Sequence, residues 1–179
     1  KKVYATVKFV DIAGLVKGAH KGEGLGNQFL NHIREVNAIL HIVRAFKDPN
    51  VKHVEEGVDP KRDIEIVNIE LIMKDIETIE KNLEKVQKEA KAGIKEKIKE
   101  LETLQKIKKE LNNGKLASDI ELEDKEKESI KYLNLLTIKP VICILNIRED
   151  SDNPELLKSL SENSLPIDLK IELECTELS

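Results

Sequence analysis

The apolar positions of this chain follow two different periods, and the change between them divides the sequence. Residues 3–10, Val-Tyr-Ala-Thr-Val-Lys-Phe-Val, are rich in β-branched and aromatic side chains and stop at Asp11, which predicts a strand. A loop carrying Gly14, Gly18, Gly22, Gly24 and Gly26 follows. Phe29, Leu30 and Ile33 then mark a short helix over 27–36. Residues 38–43 and 140–145 are nearly continuous apolar runs, the pattern of strands buried on both faces of a parallel sheet. A weaker strand over 165–169 follows a helix over 153–162 that Pro154 opens at its first turn. Strand and helix in alternation predict an α/β sheet with right-handed crossovers.

Between residues 63 and 136 the rhythm becomes helical. Ile72, Ile76, Ile79, Leu83, Val86 and Ala90 fall at alternating four- and three-residue steps, the seam of a coiled coil. After Ala92-Gly93 the stripe restarts at Ile94, Ile98, Leu101, Leu104, Ile107 and Leu111, and it ends at the stop signal Asn112-Asn113-Gly114. Two stripes of similar length joined at a glycine bury each other by folding back as an antiparallel hairpin. The alternative, one long helix bending at Gly93, leaves its stripe in water. A third helix over 123–135 returns the chain to the sheet.

Composition narrows the class. With 40% hydrophobic and 36% charged residues, the 179-residue chain is neither a disordered tail nor a membrane protein. No apolar run approaches the roughly 18–20 residues that span a bilayer, and no signal segment opens the chain. Aromatics are 3% and Trp is absent, so Ile, Leu and Val must build the core. Cys143 and Cys175 have no metal-binding spacing and read as reduced thiols of a cytoplasmic protein. The net charge of −4 argues against general nucleic-acid affinity, but residues 81–110 hold ten Lys and six Glu, a local +4. That surface is either a solvated face or a site for an anionic partner such as ribosomal RNA.

Two short motifs carry chemistry. In Phe9-Val10-Asp11-Ile12-Ala13-Gly14 an apolar run ends in Asp, and Gly follows three residues later. In P-loop enzymes such a D-x-x-G holds the Mg²⁺ shell through the Asp and reaches the terminal phosphate through the Gly N–H. The spacing alone is common by chance. Asn146-Ile147-Arg148-Glu149 keeps the spacing of the guanine motif N-K-x-D but replaces its Lys by Ile147 and its Asp by Glu149. The longer carboxylate cannot make the forked guanine contact without moving the base, which weakens the case for GTP. By itself the tetrapeptide is equally an ordinary polar exit from a strand.

Together with their surroundings the motifs become specific. The run from Phe9 to Leu30, with Ile33-Arg34-Glu35, Val43-Arg44-Ala45-Phe46, Val58-Asp59-Pro60, Asp63-Ile64-Glu65, Tyr132-Leu133 and Leu136 to Pro140, resembles the Obg-like ATPases of the YchF subfamily. The likeness covers about residues 3–150 and fades after Asp150. It implies a P-loop NTPase-type α/β fold: a partial, mostly parallel sheet with an inserted antiparallel α-helical coiled-coil hairpin. Residues 1–62 and 137–179 would be two parts of the nucleotide-binding domain and 63–136 the insertion.

The resemblance further implies a cytoplasmic, ribosome-associated enzyme that hydrolyses ATP in preference to GTP with Mg²⁺, with neither DNA nor membrane as partner. Asp11 would serve the metal, Gly14 the γ-phosphate, and Asn146, Ile147 and Glu149 the base. Leu15 stands where related hydrolases carry a water-orienting Gln, and it cannot hydrogen-bond water. The family's substitute aligns with His53, whose neutral imidazole would orient or deprotonate water. Without the resemblance His53 reads as a surface loop histidine. His20 and His32 have weaker claims, and His41 reads as a packed strand residue.

No G-x-x-x-x-G-K-[ST] occurs in the 179 residues. On the family pattern the P-loop and first switch are expected upstream of Lys1 and a TGS domain downstream of Ser179. Residues 167–174 fall where the family has its fifth nucleotide loop, without its usual Ser-Ala pattern. Two other readings stay in view. One is a non-catalytic ribosome- or RNA-binding adaptor that uses the basic hairpin. The other is a purely structural coiled-coil protein, which gives the glycine-rich loop after Asp11 no purpose. Without P-loop amides and lysine, the isolated 179-residue chain is expected to bind Mg-ATP poorly or not at all. Micromolar binding in isothermal titration would overturn that expectation.

Overall fold

A computed structural model describes residues 5–12, 26–48, 57–148, 160 and 164–178. In chain order the elements are α1 (Gly26–Glu35), β1 (Ile39–Arg44), α2 (Pro60–Lys91), α3 (Lys95–Asn112), α4 (Asp124–Ile130), β2 (Val141–Asn146), β3 (Ser164–Ile167) and α5 (Leu169–Glu177). Single 3₁₀ turns at Ala117–Asp119 and Lys131–Leu133 flank α4.

The strands form a parallel sheet in the order β1-β2-β3. Ile39 lies opposite Val141 and Arg44 opposite Asn146, so the carboxyl ends of β1 and β2 are level. The apolar runs of β1 and β2 are where the sequence places them. Burial is less complete than their composition implies. Leu40, Ile42, Ile142 and Leu165, which share one face by the strand register, remain about half exposed, because no described element covers that face of the sheet. The expected strand over 3–10 is corrected outright. Residues 5–12 carry no strand, and Val7 and Phe9 are 73% and 80% exposed. β-branched composition does not make a strand without a ladder partner, and none of the three strands pairs with this segment. The expected helix over 153–162 lies outside the described residues except for Leu160.

The helical segment folds back on itself. Asp59 caps α2 by accepting from the Arg62 amide, and Pro60 follows at the first turn, where its missing N–H costs nothing. At the far end Gly93 adopts φ +83, a left-handed conformation that reverses the chain between α2 and α3. Glu80 pairs with Lys108 and Glu89 with Lys97, so positions rise on one helix as they fall on the other. The hairpin is antiparallel. Its buried seam holds Ile72, Ile79 and Val86 against Leu104, Ile107 and Leu111, with Ile76, Leu83 and Leu101 partly buried beside it.

The seam is shorter than the letters suggest. Ile94 and Ile98 are 45% and 40% exposed, because Ile94 is the residue that caps α3 at the turn and no third described element reaches the tip. Nearer the sheet, Ala117, Ile120, Ile130, Leu133 and Leu135 close the seam from the side. The third helix also ends sooner than its pattern implies. Asn134 turns left-handed at φ 47 and stops the helical path at Leu133.

One joint connects this hairpin to the sheet. Asp75, in the middle of α2, is fully buried. Its carboxylate accepts from the Leu136 and Thr137 amides, each at 2.8 Å, and from the Thr137 hydroxyl at 2.7 Å. Burial raises its pKa, opposed by those three hydrogen bonds and by Arg34 nearby. Thr137 Oγ1 also accepts from the Ala117 amide, so the network reaches the segment after α3. Asp75→Ala orphans three donors and is expected to cost about 3 kcal/mol, a fall in Tm of roughly 10 °C. Asp75→Asn is expected to lose nearly as much, since it keeps one acceptor oxygen and turns an NH₂ toward amide N–H groups. Thermal denaturation checks both, and a loss under about 1 kcal/mol would show the joint to be dispensable.

Candidate functional site

In a parallel sheet the backbone at the carboxyl edge opens onto the loops that follow the strands, where α/β proteins seat ligands. Three strand exits meet there in this chain. Asn146, the last residue of β2, accepts from the Ala45 amide through its backbone carbonyl at 2.8 Å. Its side-chain Oδ1 accepts from the Leu169 amide at 3.3 Å. The next residue, Ile147, donates its amide to Ile167 at 3.0 Å. Asn146 therefore braces the exit of β1 on one side and the exit of β3 on the other. Among the described residues its side-chain nitrogen, a donor, makes no hydrogen bond. Asp168 opens α5 by accepting from the Lys170 and Ile171 amides, which fixes the turn that Asn146 touches.

At and just past the strand ends the sequence places two arginines and an aromatic ring. Arg44 donates from Nε to the Phe46 carbonyl at 2.9 Å and from Nη2 to the Asp48 carbonyl at 3.2 Å, wrapping its own exit loop. The Arg148 guanidinium stacks 4.3 Å from the Phe46 ring centroid and pairs with Asp48 at 3.0 Å. Sequence reading did not single out this cluster as a site. The signal was present, since one arginine ends β1, another lies two residues past β2, and the register sets Arg44 beside Asn146.

The remaining residues singled out from sequence fall in different places. Asp11 is exposed at the end of an irregular segment, not at the end of a strand. Its neighbour Ile12 packs against Leu30, Ile33, Leu71 and Leu136, a small core at the root of the hairpin shared with Ile39 at the opposite end of β1. Among the described residues no hydrogen bond or ion pair joins Asp11 to Asn146. Gly14, Leu15, His20, His53 and Glu149 lie outside the described residues. His32 is exposed on α1. His41 is half-buried in β1, and burial lowers its pKa against the opposing pull of Asp63, which favours a neutral imidazole.

The helix that follows the D-x-x-G loop is held firmly. Arg34, near the end of α1, donates to Thr78 Oγ1 on α2 at 2.7 Å. Its backbone carbonyl accepts from Asn134 at 2.9 Å and from Lys139 at 2.8 Å, and Lys139 reaches the Val36 carbonyl as well. Burial, and then Arg34, lower the pKa of Lys139, with Asp75 acting the other way. The end of α1, the root of the hairpin and the entry to β2 are thereby one hydrogen-bonded unit. A separate groove of about 950 Å³ lies between α3 and the segment around α4. It is lined by Lys99, Lys106, Glu123 and Lys127 among others and shares no residue with the sheet edge. Its wide, charged, open shape gives it no claim on the chemistry.

Cations are unevenly paired along the hairpin. Lys74 and Lys81 both bind Glu77, holding that carboxyl down at about 2, and Lys108, Lys97, Lys106 and Lys115 each face a Glu. Lys97 also pairs with the buried Glu100, which accepts from the Tyr132 hydroxyl at 2.6 Å. Among the described residues Lys85, Lys88, Lys91, Lys95 and Lys99 make no ion pair, and all are exposed. Lys61 and Lys109, nearer the sheet, also make none, so most but not all of these unpaired cations lie toward the tip.

Comparison with known proteins adds the family. A model of the 50S ribosome-binding GTPase family matches residues 1–147. The ribosome-binding ATPase YchF of Bacillus subtilis (strain 168) is 44% identical over 189 residues, taking in 99% of this chain and 52% of that protein. Its counterpart in Escherichia coli O157:H7 is 46% identical over 153 residues, 84% of this chain and 42% of that protein. Among solved structures, that of the Schizosaccharomyces pombe YchF GTPase matches with a TM-score of 0.74 at 36% identity, covering 93% of this chain and 49% of that one. The chain therefore spans about half the length of the relatives it matches.

Proposed function

This chain belongs to the YchF branch of the P-loop NTPases, and we propose that the protein carrying it binds and hydrolyses ATP, in preference to GTP, as a switch working at the ribosome in the cytoplasm. On this reading residues 1–62 and 137–179 build the nucleotide-binding part and residues 63–136 an insertion that meets the partner. The observation that carries it is Asn146 at the meeting point of three strand exits, with its carbonyl oxygen held by Leu169 and its amide donor left for a purine nitrogen.

The residues present fit the nucleotide unevenly. Asn146 and Ile147 supply a donor and an apolar contact for the base, and Glu149 follows as an acceptor suited to the exocyclic amine of adenine. The family resemblance assigns the Mg²⁺ to Asp11, exposed and carrying a hard oxygen suited to that ion. Its neighbour Ile12 packs with the core at the end of β1 remote from Asn146, so the resemblance and not the geometry supports this assignment. Among the described residues no three His, Cys, Asp or Glu gather to hold a metal unaided. The Gly14 amide would serve the γ-phosphate and His53 the attacking water. Such catalysis is mainly positioning and charge stabilisation. Ile147→Lys combined with Glu149→Asp is expected to move selectivity from ATP toward GTP, measured as the ratio of kcat/KM values. Asn146→Ala is expected to weaken ATP binding about tenfold or more, and an unchanged KM would sink the base-site reading.

A ribosomal contact through the hairpin is favoured by its unpaired lysines, which suit the phosphates of ribosomal RNA. The adaptor reading, without catalysis, rests on the same surface. Charge reversal at Lys85, Lys88, Lys91 and Lys95 is expected to weaken ribosome cosedimentation strongly and to flatten its salt dependence. Lys97 is left intact in this test because it supports buried Glu100. Undiminished association would remove the hairpin tip as the contact.

A further inference from the structure

The loops after β1 and β2 are fastened by something more specific than backbone pairing. Phe46, two residues beyond β1, has two guanidiniums against its ring: that of Arg44, the last residue of β1, at 5.0 Å and that of Arg148, in the loop after β2, at 4.3 Å from the centroid. Arg44 grips the carbonyls of Phe46 and Asp48 in the loop that follows it. Arg148 crosses from the other loop to the Asp48 carboxylate at 3.0 Å, where the Asp48 side chain is only 13% exposed. A planar cation that stacks on a ring while pairing with a shielded carboxylate is held in orientation as well as position. The strand register makes this consequential. Arg44 lies opposite Asn146, so the clamp closes two residues beyond Asn146 and one residue before Glu149.

We propose that Arg148 is a positioning residue for nucleotide selection, holding Asn146 and Ile147 in the register that receives the base by fastening their loop to Phe46 and Asp48. The inference rests on the base-site reading above and adds to it a residue that need not touch the nucleotide. Arg148 stands in the motif position that the N-K-x-D pattern leaves open, so sequence alone gives it no role. The fixed stack gives it one. The same fastening ties the base loop to the loop running on toward His53.

The test uses the full-length protein carrying this chain, with steady-state hydrolysis of ATP and GTP and with tripolyphosphate as a competitive inhibitor that lacks a base. Arg148→Ala is expected to raise KM for ATP about fivefold, the size of one lost stacked ion contact, with the loss falling on KM more than on kcat. The ATP-to-GTP preference should narrow, while the inhibition constant of tripolyphosphate should hold steady, because the base end alone is loosened. Arg148→Lys should recover only part, since an ammonium can meet Asp48 without reproducing the planar stack. Asp48→Ala combined with Arg148→Ala should cost little more than either single change. The proposal is overturned if Arg148→Ala leaves KM and base preference unchanged while Asn146→Ala alters them. It is equally overturned if tripolyphosphate inhibition weakens as much as ATP binding, or if Arg148→Lys behaves as wild type. If Asn146→Ala itself has no effect, the base-site reading fails, and the clamp's role in selection fails with it.

Discussion

A buried carboxylate decides how the two halves of this protein meet. Asp75 sits inside α2 with no access to water, and its three donors all come from Leu136 and Thr137, the residues that lead into β2. Hydrophobic contact alone would let a helix slide or rotate along its neighbour, because one aliphatic surface resembles the next. A carboxylate facing two amides and a hydroxyl permits a single register. Burying the charge is unfavourable, as the raised pKa records, and the contact persists because every lone pair that matters is used. Arg34, Asn134 and Lys139 extend the same logic to the end of α1, so α1, the hairpin root and β2 share one geometry.

That geometry explains which parts of the molecule were legible in the sequence. The hairpin was readable because period and turn chemistry agree: two stripes, a glycine at positive φ between them, and an aspartate-proline start. The strands Ile39–Arg44 and Val141–Asn146 were readable because a nearly continuous apolar run of that length suits little else. The segment ending at Asp11 had the same local propensity and is no strand, since pairing is a property of two chains of backbone and propensity describes one. Ile94 and Ile98 show the corresponding limit for helices. Their period is right, but burial requires a partner, and among the described residues none reaches the tip.

The site was legible in part. Asn146 was singled out from motif spacing, and its hydrogen bonds show what a side chain with both an acceptor and a donor does at that exit: its oxygen braces the neighbouring loop. The pairing of Arg148 with Asp48 across 100 positions and its stacking on Phe46 were invisible, because nothing local announces a contact between loops so distant in sequence. Asp75 was hidden for a similar reason. A charged residue within a charged amphipathic helix looks like surface until the return path of the chain is known.

The length of α2 has its own consequence. At about 1.5 Å per residue its 32 residues extend roughly 48 Å, and the carboxylate that anchors it lies near its middle. Anything that tilts the anchored half by about 10° sweeps the distal end through roughly 4 Å, more than a hydrogen bond tolerates, while the packing near the pivot moves by a fraction of an ångström. Most of the unpaired lysines ride on the part of the molecule with the greatest travel, so a slight adjustment beside the sheet becomes a decisive change in what the far end can hold.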